Sequence, residues 1–133
     1  MKSDQITSRF NQDWITIGVD DDCMNLCEKL AIDMVNARIS SSFLRNIFGE
    51  LRRIEAGGFD KHRTEFVLLR PKLAYTCGRA IERNNNAKDE LKALQELYKL
   101  SAQKVTNALC FQNLVSIMEA IIAFHKANGG DNK

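Results

Sequence analysis

SSSFLRNIFGELRRIE, residues 40–55, is an amphipathic helix written in full. Leu44, Ile47, Phe48, Leu51 and Ile54 recur at the three- and four-residue spacing that gathers them on one side of a 3.6-residue turn. Ser40-Ser41-Ser42 offers hydroxyls to the free N–H groups at the start, and Gly57-Gly58 stops the helix just beyond its end. The spacing predicts a helix over about 42–56. Its polar side is basic: Arg45 and Arg52, seven apart, share a face with Gly49 between them, and Arg53 flanks the row. A glycine inside a helix costs roughly 1 kcal/mol relative to alanine; here it leaves room for a phosphate or a partner backbone to come close. An ordinary solvated helix face also carries such arginines, and this row alone does not separate the two readings.

The next segment, about 64–84, contains LLRPKLAYTCGR (68–79) and repeats the design. Leu69, Leu73, Cys77, Ala80 and Ile81 form its apolar side. Lys72, Arg79 and Arg83 lie opposite, at i, i+7 and i+11. Tyr75 borders them, placed either to stack on a base or ribose or to pack at the rim against a neighbouring helix. Pro71 removes one backbone hydrogen bond from a helix interior, so a kinked helix or two short helices meeting near Arg70 are expected. After the turn signal Asn84-Asn85-Asn86, a fourth helix is predicted over about 87–106, with Leu91, Leu94, Tyr98, Ala102, Val105 and Leu109 in phase. A fifth, over about 108–127, has an apolar arc covering about half its circumference, as a helix packed against several others requires. Upstream, Asp20-Asp21-Asp22 caps a first helix over about 21–38, the acids suiting free N–H groups and the dipole at its start. Residues 1–19 lack helical period, and Trp14–Val19 reads as a short extended arm.

These segments make an all-α, single-domain bundle of about five helices: an N-terminal arm at 1–20, the helical bundle at 21–128, and a frayed C-terminal tail at 129–133. With 133 residues, 44% of them hydrophobic, and a single proline, the chain is long enough to bury roughly two thirds of its unfolded surface. No uninterrupted run of 18 apolar residues is present, and MKSDQITSRFNQDW lacks the apolar centre of a signal peptide. A cytoplasmic protein with no membrane partner is expected.

The net charge of +2 conceals a polarity. Residues 1–37 hold 3 basic and 7 acidic groups, net −4; residues 38–83 hold 10 and 5, net +5; residues 84–133 hold 6 and 5, net +1. The middle third is the part that attracts a polyanion. Two basic rows within it favour nucleic acid, and without a base-reading motif the expected contacts are to phosphates.

No catalytic machinery is legible. Cys23 and Cys27, one turn apart, have no second ligand pair of zinc-site spacing, and all four cysteines (23, 27, 77 and 110) read as reduced core residues. His125 reads as a structural histidine, His62 sits in a polar loop without an obvious partner, and Glu119 reads as a structural hydrogen-bond or ion-pair former rather than a general base. No nucleophile–base order, phosphate loop or dinucleotide fingerprint is present. No enzyme activity, cofactor or metal is expected.

Three blocks in this order, LRNIF (44–48), LLRPKLAYTCGR (68–79) and MEAIIAFHKANGG (118–130), resemble the small subunit of type III-A CRISPR interference complexes. The resemblance covers about residues 40–130. It implies a helical, roughly five-helix, non-catalytic subunit present in more than one copy per complex. These copies stack beside the backbone subunits that hold the guide RNA and line the groove where target RNA pairs with the guide. Carried onto this chain, the basic positions in matching blocks are Arg45, Arg52, Arg53, Lys72 and Arg79; Arg83 rests on its helical phase alone. The alternative is a helical protein-interaction adaptor whose basic face meets an acidic protein.

Overall fold

The computed structural model describes residues 1–131, and within them the chain is helical throughout, with no strand. Seven α-helices follow in order: α1 (Ser3–Arg9), α2 (Asp13–Thr16), α3 (Asp21–Asn36), α4 (Ser41–Gly57), α5 (Arg63–Arg83), α6 (Lys88–Ala102) and α7 (Ala108–Ala127). Short 3-10 turns at Phe59–His62 and Asn85–Ala87 join α4 to α5 and α5 to α6.

The N-terminal segment corrects the expectation of an extended arm. It forms α1 and α2, and Ile6, Trp14 and Ile15 are buried. Helices this short are marginal on their own. Here packing forms them: α1 lies on α6 and α2 on α7. The Met1 amine adds ion pairs to Asp33 (2.8 Å) and Glu90 (2.6 Å), fastening the segment to α3 and α6. Among the described residues the bundle therefore has seven helices rather than about five.

The cap residues act as their chemistry dictates. The carboxylate of Asp20 accepts the N–H of Cys23 (2.9 Å), the hydroxyl of Ser40 that of Phe43 (3.1 Å), and the side chain of Asn107 that of Cys110 (2.9 Å). Gly58, at φ 94°, takes the left-handed turn that ends α4. Helix α5 runs unbroken through Pro71, which removes the two-helix alternative. Pro71 and Val67, the residue whose carbonyl loses its partner, both lie on the solvent side. Helix α6 stops at Ala102, four residues early, because Asn107 in an extended conformation starts α7. Leu109, counted with the fourth helix's apolar face, stands exposed in the first turn of α7.

Helix α7 packs on α2, α3, α4 and α6, and α6 on α1, α3, α5 and α7. Together they centre a core that includes all four cysteines, each a free, buried thiol. In length and composition α7 also qualifies as a membrane span, at 20 residues and a mean hydropathy of 1.5, which the absence of an uninterrupted apolar run did not reveal. Its contacts with four other helices account for that apolarity as core packing.

The C-terminus folds back rather than fraying at once. Gly130 donates to the carbonyl of His125 (2.8 Å), and Ser41 donates its N–H to the carbonyl of Asp131 (2.7 Å). His125 is fully buried, its Nε2 2.6 Å from the carbonyl of Ile39 and its Nδ1 3.2 Å from the Ser41 hydroxyl. Asn132 and Lys133 of the expected tail lie outside the described residues.

Candidate nucleic-acid interface

Helices α4 and α5 lie side by side and carry all the candidate residues. Arg45, Gly49 and Arg52 share an exposed side of α4. A Cβ placed on Gly49 would meet nothing within 4 Å, so the glycine opens onto solvent. Arg52 leans toward α7, where its Nη2 stands 3.8 Å from Glu119 Oε1; both side chains are exposed. That contact gives Glu119 the ion-pairing role expected of it.

Arg53 turns the other way. Its guanidinium holds Glu50 at 2.8 Å and Glu65, across on α5, at 2.7 Å. Glu65 also meets His62 Nδ1 at 2.7 Å, a partner for His62 that the sequence did not suggest. The hydrogen bonds from His62 and Arg53 hold the Glu65 carboxyl below the usual carboxylate range, and the bonds to Glu50 and Glu65 raise Arg53 above its own.

On α5, Lys72, Arg79 and Arg83 form an exposed row. Tyr75 is 65% exposed rather than packed at a rim. Arg79 donates to its hydroxyl at 2.9 Å and lies 5.9 Å from the ring centroid. The same guanidinium is 3.9 Å from Glu82 Oε2. The result is a flat aromatic surface held upright beside a cation, suited to stacking. Lys72, Tyr75 and half-exposed Leu68 line a cleft of about 550 Å³, with Asn46 and Glu50 of α4 on its other wall.

Lys72 and Tyr75 thus come together along the cleft, with Arg79 held on the Tyr75 hydroxyl and Arg83 one turn further along the row. Arg45 and Arg52 follow the opposite, α7-facing edge of α4. The Glu50–Arg53–Glu65 cluster stands between the two rows, with Arg53 held by two carboxylates.

Sequence reading missed a second cationic pair on α5. Arg63 and Arg70, again seven apart, face α6 across a smaller pocket of about 150 Å³. Arg63 is tied to Asp60 (2.9 Å) and to the carbonyl of Thr106 (3.3 Å) and lies 4.9 Å over the Phe59 ring. The seven-residue spacing was the available signal; Arg63 was counted with the connecting loop, and Arg70 with the proline break.

Among the described residues no group of three or more His, Cys, Asp or Glu side chains converges as a metal site would require. A model of the family described as Csm2 Type III-A matches residues 20–131, beginning 20 residues before the stretch whose motifs were legible and spanning α3 to α7. No curated protein and no solved structure matches the chain.

Proposed function

The chain belongs to the Csm2 Type III-A family, the small subunits of type III-A CRISPR effector complexes, and from that membership we propose that it is a non-catalytic subunit contacting target RNA through α4 and α5. In this reading copies of the chain stack along a cytoplasmic ribonucleoprotein beside the backbone subunits. Each copy presents its basic rows to the duplex formed by guide and target RNA during antiviral defence.

The observation that carries the proposal is the placement of the net-positive region. Arg45, Arg52, Lys72, Arg79 and Arg83 are solvent-facing side chains on two adjacent helices inside the matched region. Each of these two rows, the α4 pair and the α5 row, suits phosphate oxygens, which give affinity without reading sequence. Tyr75 with Arg79 adds a stacking surface for a base or ribose.

Affinity purification of the tagged chain from cells carrying its effector genes tests this, followed by RNA sequencing and ultraviolet crosslinking. Recovery of a large ribonucleoprotein with a guide RNA is expected, with target RNA crosslinked to peptides from α4 or α5. Recovery of an acidic protein in place of RNA would favour the adaptor reading instead.

A further inference from the structure

We infer that the pocket between α5 and α6 is a receptor for a carboxylate, delivered by an acidic side chain of a neighbouring protein. The pocket is lined by Arg63, Val67 and Arg70 of α5, Tyr98 and Ala102 of α6, and Val105 just beyond, among others, and holds about 150 Å³.

Tyr98 supplies the first observation. Its side chain is 2% exposed, and its hydroxyl has no hydrogen-bond partner among the described residues. An unpaired buried hydroxyl costs on the order of tenfold in the folding equilibrium, a penalty that phenylalanine in the same space would avoid. Tyr98 and Arg70 line the same pocket.

Charge supplies the second. Arg63 is already neutralised by Asp60 at 2.9 Å, whereas Arg70 enters no ion pair among the described residues. The pocket has one uncompensated positive charge and one idle donor. A single carboxylate, accepting from both, satisfies each of them.

Shape and polarity choose between sources of negative charge. Val67, 67% exposed, sits at the rim, and Ala102 and Val105 make an apolar wall. A side chain ending in a carboxylate can enter such a pocket tip first, its methylenes against the wall. A phosphodiester carries its charge mid-chain between two riboses and cannot. The inference uses none of Arg45, Arg52, Lys72 or Arg79, so it stands or falls separately from RNA binding by the α4 and α5 rows.

The test follows the Arg70 Nε resonance of the full chain by NMR during titration with four probes: acetyl-Leu-Glu-Leu-amide, its Gln counterpart, inorganic phosphate and an oligouridylate. Only the glutamyl peptide should give a saturable shift. Arg70→Gln should abolish binding, and Tyr98→Phe should weaken it about tenfold, the loss of one charge-assisted hydrogen bond. Free Tyr98→Phe should unfold at a higher temperature than the parent chain, so a loss of binding there is not a loss of fold. Equal responses to the Glu and Gln peptides, preference for phosphate or oligouridylate, unchanged affinity in Tyr98→Phe, or no shift with any probe would each overturn the inference.

Discussion

Arg53 already holds two carboxylates, Glu50 at 2.8 Å and Glu65 at 2.7 Å, so a phosphate approaching it must compete with both. Arg53→Ala should therefore reduce RNA affinity less than Lys72→Ala, since Lys72 makes no ion pair among the described residues. Glu65 gives an independent check on this cluster. Its carboxyl titrates below the usual range because His62 and Arg53 hydrogen-bond to it. A depressed carboxyl contributes stability that is present above its unfolded value of ~4.3 and is lost as pH falls through the folded value. NMR titration should place Glu65 below an unperturbed glutamate, and Arg53→Ala should move it upward while His62 still holds it; no movement would mean that the Arg53 contact is absent in solution. Gly49 separates folding from function. A Cβ added there would meet nothing within 4 Å, so Gly49→Ala should stabilise the chain by about 0.5–1 kcal/mol in urea unfolding. RNA affinity of the assembled complex should fall if a phosphate approaches there. At this scale the exposed positions were legible from helical phase alone. The ion pairs were not, because Arg53–Glu65 and Arg52–Glu119 join residues on different helices, whose packing angle no periodicity encodes.

Helices with both an apolar stripe and a cap were readable to within a few residues. Asp20, Ser40 and Asn107 each accept the N–H three residues on, at 2.9, 3.1 and 2.9 Å. Asn107→Ala should cost about 1 kcal/mol in urea unfolding; no change would show that neighbouring packing alone sets the start of α7. Helices α1 and α2 were unreadable for a physical reason. Seven and four residues are too few to display a period, and their order comes from Ile6, Trp14 and Ile15 meeting α6 and α7. The continuity of α5 was equally hidden, because the consequence of Pro71 depends on which way the Val67 carbonyl faces. The C-terminal fold-back depends on Gly130, where a Cβ would overlap the His125 ring and stand 2.6 Å from the His125 carbonyl. Gly130→Ala should destabilise the chain by roughly 1–3 kcal/mol, as overpacking does. It should also speed amide exchange at Ser41, whose N–H is held by the Asp131 carbonyl.

For the whole molecule, the distribution of charge matters more than its sum. The net +2 divides into an acidic N-terminal third and a basic middle third, and folding sets that middle third on α4 and α5 while α6 and α7 centre the core. The all-helical class was legible because nearly every long segment repeats at the helical period. The separation of the two basic rows was not, since it follows from α4 packing on both α5 and α7. The central claim, that the α5 row contacts RNA phosphates, is tested most directly by the salt dependence of target-RNA binding in the assembled effector complex. Lys72→Ala with Arg79→Ala is compared with Lys92→Ala with Lys99→Ala, two exposed lysines on α6. For single strands, log affinity falls with log salt by about 0.7 per phosphate contact. The α5 double substitution should therefore flatten the slope by roughly 1.4 and weaken all target sequences alike, while the α6 pair leaves the slope unchanged. Identical slopes and affinities for the two double substitutions would contradict the account and leave the α5 row an ordinary solvated face.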